Sequence, residues 1–163
     1  MVKYLKFFIF LIFFLNSCEV VNRPLKKYQP LNKLIYVDVI EKKIIEDTYV
    51  KSIYSNRTQN LLTQWLENSI KTNGFDGYIE IRILGLNSRE NETDSGVIIN
   101  ISAKIELSLF KSALDSKKII LINGEEYGQL IGDFTLNDKS TEVDNIIKRL
   151  IEKFSMKLFK ELN

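Results

Sequence analysis

INISAKIELSL, residues 99–109, is the stretch that decides the fold of this chain. Its odd positions carry apolar side chains, while its even positions carry polar ones. Successive side chains of a β-strand point to opposite faces of the sheet, so the pattern predicts a long strand with one buried face and one wet face. The buried face has to be covered by another layer, and the flanking segments indicate what that layer is.

The segment before this strand carries a second strand pattern. Ile79, Ile81 and Ile83 alternate with more polar side chains, which predicts a strand with the same two-faced character. Residues 87–96 are mainly polar, so we expect a loop there that connects the two strands.

The segment after the strand leaves two interpretations open. A turn over 113–116 leads to a strand that begins near Lys118. Asn123-Gly124 then fits a two-residue hairpin turn, or a bulge inside one longer strand that reaches Leu130. We favour the bulge, because the longer strand would match the length of its neighbour.

Two amphipathic helices are predicted to supply the covering layer. Over 56–73, apolar residues recur at three- and four-residue steps, with Ser55 or Asn56 as N-cap. Gly74 follows as the left-handed stop that often ends a helix. The second helix is expected to be capped by residues 138–141, and its apolar stripe continues towards the C-terminus.

An earlier strand completes the predicted sheet. Ile35, Val37 and Val39 alternate within 34–44, whereas 44–55 fits a strand, a loop or a short helical turn. We therefore expect an α+β fold over 34–163 with the order β-α-β-β-β-α. Its sheet has about four mostly antiparallel strands, and both helices pack on one face to form a two-layer sandwich.

The first residues have the features of an export signal. Lys3 and Lys6 precede an apolar run, Phe7 to Leu15, which is too short to span a bilayer and suits a signal-peptide core. The run ends in LNSC, residues 15–18, which resembles the lipobox of bacterial lipoproteins. The resemblance implies cleavage after residue 17 and lipidation of Cys18; an uncleaved anchor helix is the alternative. Residues 18–33 contain both prolines, which indicates an extended tether between the lipid and the domain.

The composition of the mature chain argues against several functions. Removing 1–17 leaves 146 residues (163 − 17) with 21 basic (23 − 2) and 21 acidic side chains, so net charge does not indicate a nucleic-acid partner. The chain has no histidine, and its single cysteine is the predicted lipid site. We therefore expect no enzymatic activity, no metal site and no cofactor.

Three short motifs carry a resemblance to a known family. Arg23-Pro24-Leu25 lies in the tether, NRTQNLL over 56–62 opens the first predicted helix, and Glu126-Tyr127-Gly128 precedes the last one. Together with the order of elements, these motifs resemble the lipopolysaccharide-assembly lipoprotein LptE, in its alphaproteobacterial form.

The resemblance implies a binding role at the outer membrane. Members of this family sit as a plug inside the outer-membrane barrel LptD and assist delivery of lipopolysaccharide. Glu19 follows Cys18 where an inner-membrane retention signal usually has Asp, which favours a lipid-anchored, periplasm-facing protein of the outer membrane. An accessory or pilot lipoprotein of another envelope complex is the runner-up, and a periplasmic hydrolase is disfavoured.

Two sets of residues follow as candidate sites. The wet sheet face would suit the polar lumen of a barrel, although an ordinary solvated face explains the same alternation. This candidate partner face comprises Glu80, Arg82, Asn100, Ser102, Lys104 and Glu106, together with Ser108. Cations in or beside the loops at strand ends could bind lipid A phosphates, with solvated loop charges as the alternative. These candidate lipopolysaccharide-binding residues are Arg89, Lys111, Lys117 and Lys118.

Overall fold

The computed structural model describes residues 34–45, 52–111 and 116–162. The predicted signal peptide, Cys18 and the tether lie outside the described residues. So do 46–51, within the segment for which three interpretations were open, and most of the predicted turn over 113–116.

The described ranges contain six strands and two helices in an α+β arrangement. In chain order these are β1 (Ile35–Val37), β2 (Glu41–Ile45), α1 (Ser55–Ser69), β3 (Ile70–Thr72), β4 (Tyr78–Thr93), β5 (Gly96–Lys111), β6 (Ser116–Ile131) and α2 (Leu136–Leu162). The main sheet has the order β2-β4-β5-β6, with β2 parallel to β4 and the other pairs antiparallel. A small parallel pair, β1-β3, lies beside it. The predicted fold class and element order are confirmed.

The helices cover one face of the main sheet, and the core lies between the two layers. Alternate residues of β5 are buried from Val97 to Leu107, as the period-two pattern predicts. They pack in one apolar cluster with Leu62, Trp65 and Leu66 of α1 and with Phe154 of α2. The opposite face of the sheet is not covered by any described element, so β4 and β5 have one apolar and one mainly polar side, whereas β6 exposes Ile119 and Leu121 on the uncovered face.

The predicted loop over 87–96 is wrong, because β4 continues to Thr93 and only Asp94 and Ser95 form the turn into β5. Polar side chains are tolerated along this part of β4 because alternate residues point to the uncovered face. On the other side, Ser88 is buried, and its hydroxyl accepts a hydrogen bond of 3.1 Å from the main chain of Tyr54. The low hydropathy of 87–93 therefore comes from a solvent-exposed face of the sheet and not from a loop.

The single long strand after β5 is confirmed, but it contains no bulge. Pairing with β5 runs without a shift through Lys104↔Asn123 and Ala103↔Gly124. A β-carbon on Gly124 would lie 2.6 Å from the ring of Phe154, so this glycine allows α2 to pack closely on the sheet. The bulge occurs instead in β4, between Ile83 and Gly85.

The end of α1 differs from the prediction and has a long-range cause. The helix stops at Ser69, not near residue 73, and Ile70–Thr72 pairs with β1. Lys42 Nζ donates to the main-chain oxygens of Leu66, Glu67 and Ile70, at 3.2, 2.8 and 2.8 Å. A cation from β2 thus stabilises the carbonyl end of α1.

Gly74 is therefore not the left-handed stop that the sequence predicted. Its φ lies outside the positive region, and a β-carbon there would come within 2.4 Å of the main chain at Val39. The glycine allows two loops to approach closely.

The predicted cap of the second helix is displaced by one turn. Helix α2 begins at Leu136, and Thr135 is the residue that caps it. The hydroxyl of Thr135 accepts a bond from the main-chain N–H of Asp138, and Asp138 accepts one from the main-chain N–H of Thr135, at 3.2 and 2.8 Å. This reciprocal pair satisfies two free donors of the first turn. The hydrogen bond from the Thr135 backbone holds the pKa of Asp138 below its usual value.

Candidate functional site: the uncovered face of the sheet

The structure places all six predicted partner-face residues on the uncovered face. Arg82 lies opposite Glu106 across the β4–β5 pair, and Glu80 lies opposite Ser108. Asn100, Ser102 and Lys104 continue along β5 with the same orientation. Strands of 16 residues make this face roughly 50 Å long, since each strand residue advances about 3.3 Å. Whether the face binds a partner stays a prediction.

Charges of both signs are mixed along the middle of this face. Arg82 pairs with Glu80 at 3.1 Å, and the hydroxyl of Ser108 donates to Glu106 at 3.3 Å. Lys104 is exposed on β5. Exposed ion pairs contribute only about 0–1 kcal/mol, so Arg82 and Glu80 can exchange each other for groups of another molecule at little loss.

A shallow polar depression of about 310 Å³ lies near the β4–β5 turn. Amide, guanidinium, hydroxyl and carboxylate groups line it, and the lining residues are Asn87, Arg89, Asn91, Asn100, Ser102 and Glu125. Arg89 was expected in or beside a loop, but it lies inside β4 because the strand is longer than predicted. Sequence reasoning missed Asn87, Asn91 and Glu125. The period-two pattern would have found the two asparagines if it had been extended through 87–93.

An aromatic row crosses the same face at the opposite end of the sheet. Tyr78 and Phe110 are paired across β4 and β5, with ring centroids 4.6 Å apart in a stacked geometry. Lys43 Nζ lies 5.1 Å from the centroid of Tyr78, and Lys117 Nζ lies 4.9 Å from that of Phe110. Cations over aromatic faces are attracted by the ring quadrupole. The row depends on the register of four strands, which the sequence alone does not supply.

The predicted lipopolysaccharide-binding residues do not form one cluster. Lys111 forms an ion pair with Asp38, Lys117 lies over Phe110, and Lys118 donates to the main-chain oxygen of Glu161 at 2.7 Å. These three lysines meet at one end of the sheet. Arg89 pairs with Asn100 instead, eleven residues along β5 from Lys111, which corresponds to roughly 36 Å. A single phosphate group therefore cannot contact both.

Ionisable groups also bridge the covered face to the helices. Glu90 points to that face and accepts hydrogen bonds from Lys139 of α2, at 2.7 Å, and from the hydroxyl of Tyr54. Burial alone would raise the pKa of Glu90, but the bonds from Lys139 and Tyr54 and the lysine charge hold it below its usual value. Burial and the bond to Glu90 raise the pKa of Tyr54. This network joins the start of α1, β4 and α2.

The free edge of β6 is occupied by side chains of α2. Basic residues four apart on the helix donate to main-chain oxygens two apart on the strand. The pairs are Arg149 to Tyr127 at 2.8 Å, Lys153 to Glu125 at 3.0 Å and Lys157 to Asn123 at 2.5 Å. The spacings match, because four helical residues advance about 6.0 Å and two strand residues about 6.7 Å. Since these acceptors are engaged, the face of the sheet is more accessible to a partner than this edge is.

Neither a metal centre nor a membrane-spanning helix is found in the part of the chain that the structure describes. No three His, Cys, Asp or Glu side chains of 34–45, 52–111 and 116–162 come together as a potential metal site. No helix in those ranges is both long and apolar enough to cross a bilayer.

No protein-family model matches the chain, and no curated protein matches it. Among solved structures, it is similar to a minor lipoprotein from Acinetobacter baumannii, with 10% identity over 79% of this chain and 92% of that one and a TM-score of 0.44. Rare lipoprotein B from Shewanella oneidensis has 8% identity over 75% and 92%, with a TM-score of 0.42. A candidate lipoprotein from Caulobacter crescentus has 7% identity over 74% and 86%, with a TM-score of 0.40. All three are described as bacterial lipoproteins, but with TM-scores below 0.5 the likeness does not indicate the function of this chain.

Proposed function

We propose that this chain is a lipid-anchored protein of the outer membrane, facing the periplasm, that partners the barrel LptD and assists transport and assembly of lipopolysaccharide. It acts by binding and not by catalysis, and it uses no cofactor. The observation that carries the proposal is the uncovered face of the four-stranded sheet, on which β4 and β5 present mainly polar side chains. The lipobox at Cys18 supports the membrane location, and the resemblance of the motifs to the LptE family supports LptD as the partner.

The chemistry of the uncovered face supports a partner of this kind. The interior of a large outer-membrane barrel is polar, so a domain inside it has to present polar groups over a large area. The uncovered face is about 50 Å long and offers carboxylates, amides, hydroxyls and basic groups in mixed order. Mixed charge favours a specific complementary partner, because like charges placed opposite each other weaken the wrong complexes.

The lysines at one end of the sheet supply a candidate contact to lipid A. Lys111 shares its charge with Asp38, whereas Lys117 and Lys118 contact an aromatic ring and a carbonyl oxygen, neither of which carries a full negative charge. Their ammonium groups are therefore the better candidates for phosphate. Reversing the charge of both should weaken binding of purified lipopolysaccharide, and unchanged binding would remove this pair from the site.

Co-purification tests the partnership directly. Tagged, lipidated protein is captured from solubilised outer membranes, and what accompanies it is identified by mass spectrometry. We expect a stoichiometric outer-membrane barrel. Lys104→Glu makes the charge of the uncovered face two units more negative, and Asn60→Glu with Gln64→Glu makes the same change in net charge on the exposed side of α1. The first variant should lose the barrel, and the matched control should retain it.

Other outcomes assign a different function. Recovery of a secretion ring or a transporter would favour an accessory or pilot lipoprotein, which is the alternative function. Equal recovery of the barrel by both variants would place the interface away from the uncovered face. A Cys18→Ser variant that still fractionates with membranes would contradict the lipid anchor itself.

A further inference from the structure

Large apolar side chains are exposed at the end of the domain where β1, β3 and the start of β4 meet. Phe75 is 97% exposed and Ile40 is 64% exposed, although most large apolar residues of the described chain pack in the core. Both lie in loops that are joined by main-chain hydrogen bonds, from Gly74 to Val39 and from Ile40 to Gly77, each 3.1 Å long. The two side chains therefore project from neighbouring loops at one end of the sheet.

Basic and aromatic groups surround this apolar tip. Tyr36, which is 56% exposed, lines a shallow depression together with Lys111 and Lys118. Lys117 lies on the adjoining part of the uncovered face, over Phe110. Acidic groups are also present at this end, namely Asp38, Glu41, Asp76 and Glu161. Asp38 pairs with Lys111 and Glu41 with Lys43, whereas Lys117 contacts a ring and Lys118 a main-chain oxygen. Neither ammonium group is paired with a carboxylate of the described residues, so both can contact anionic headgroups although acidic side chains lie at the same end.

The predicted lipid anchor joins the domain at this same end. Leu34 lies sixteen residue steps after Cys18, and even a fully extended chain of that length spans only roughly 55 Å. Residue 34 leads directly into β1, whose Tyr36 is part of the basic and aromatic surround. The β4–β5 turn is roughly 50 Å further away, at the other end of the sheet. Acyl chains on Cys18 therefore keep this end within roughly 55 Å of the bilayer, whereas the far end of the sheet can lie roughly 50 Å beyond it.

We propose that Phe75 and Ile40 insert into the interface of the phospholipid leaflet that holds the anchor, with Lys117 and Lys118 against its phosphates. An amphipathic surface of this kind binds through buried apolar area plus attraction to anionic headgroups. A single acyl chain gives only marginal attachment, so a second contact of the domain with the membrane strengthens it and sets the orientation of the sheet. The inference rests on the lipid anchor of the proposed function, but it requires neither LptD nor lipopolysaccharide.

Fluorescence quenching in vesicles tests this contact on the full lipidated chain. Phe75→Trp is compared with Leu136→Trp, which is 86% exposed at the opposite end of the domain, and both retain the native Trp65, which is 8% exposed. The vesicles contain phosphatidylethanolamine and phosphatidylglycerol with brominated acyl chains and no lipopolysaccharide. We expect several-fold stronger quenching and a blue-shifted emission for Phe75→Trp alone. Because both sites are exposed, neither substitution should disturb folding, and far-UV circular dichroism checks this.

Charge reversal provides a second measurement. Lys118→Glu in the Phe75→Trp protein should reduce the quenching, whereas Asn60→Glu with Gln64→Glu, which changes the net charge by the same two units on α1, should not. Equal quenching of Phe75→Trp and Leu136→Trp, or none at either position in vesicle-bound protein, would overturn the inference and leave the proposed function intact. Protein that does not stay with the vesicles would overturn both, because the anchor itself would be missing.

Discussion

The two faces of the main sheet are made by the same strands but differ in what contacts them. Ile81 is fully buried under the helices, while the next residue, Arg82, is exposed on the uncovered face. Because side chains alternate, consecutive residues of one strand lie on opposite faces. One of them stabilises the domain, and the next is available to a partner. Substitutions on the covered face should therefore change stability, and those on the uncovered face should change binding.

Removing Phe154 should produce the largest effect. Its side chain is fully buried and lies above Gly124, and its ring centroid is 6.4 Å from that of Trp65. Phe154→Ala should lower the free energy of unfolding by about 3–5 kcal/mol, through lost burial and the cavity that remains. Denaturant titration followed by circular dichroism measures it. Phe110→Ala, on the uncovered face, is the comparison and should cost clearly less; equal losses would mean that the uncovered face is also part of the core.

Adding one methyl group on each side of the comparison gives a sharper test. A β-carbon at Gly124 would lie 2.6 Å from the Phe154 ring, whereas a β-carbon at Gly85, in the bulge of β4, meets no atom within 4 Å. Gly124→Ala should destabilise by about 1–3 kcal/mol because α2 has to move. Gly85→Ala should be neutral, or stabilise by up to about 1 kcal/mol through lower entropy of the unfolded chain. Thermal unfolding of both variants decides the matter, and a neutral Gly124→Ala would show that the helix packing adapts freely.

The Glu90 network makes the covered face sensitive to acid. The folded state holds the pKa of Glu90 below its ordinary value of 4.5, so the carboxylate is more favourable in the folded chain than in the unfolded one. Its contribution is complete above pH 4.5 and is lost as the pH falls through the lower folded value. Glu90→Gln should therefore flatten the loss of stability below pH 4.5, measured by urea unfolding across that range.

Glu92→Gln is the matched control for this experiment. It removes a carboxylate from the same strand without touching Lys139 or Tyr54, and it measures the effect of a plain change in charge. If stability falls with acid equally in Glu90→Gln and in the unsubstituted protein, protonation of Glu90 is not the cause of the acid sensitivity.

Features with a local cause could be predicted from the sequence. The alternation over 99–109 follows from the geometry of one strand, and it correctly assigned the buried and wet sides of β5. The six partner-face residues share a face for the same reason. The end of α1 could not be predicted, because Lys42 reaches Ile70 from 28 residues away along the chain. A contact of this kind becomes visible only when β2 is placed beside the helix.

The candidate site was predicted only in part, because its arrangement also depends on contacts between strands. Arg89 was grouped with three lysines because all four were expected at strand ends, but the polar part of β4 is a strand and moves Arg89 to the other end of the sheet. Low hydropathy does not distinguish a loop from a strand whose outward face is wet. The row of Tyr78 and Phe110 depends on the register across strands, which single-chain patterns do not specify.

The smallest effect on stability is expected in the middle of the uncovered face, where binding should change most. Arg82 is exposed, pairs with Glu80 and lies opposite Glu106, so Arg82→Ala should alter the free energy of unfolding by no more than about 0.5 kcal/mol. If the face contacts a partner, the same substitution should reduce co-purification of the barrel, because a charge that pairs across an interface is lost. The contrast is clearest against Gly124→Ala, which changes stability without altering any group on the uncovered face. Loss of stability without loss of partner in Arg82→Ala would reverse the roles assigned to the two faces.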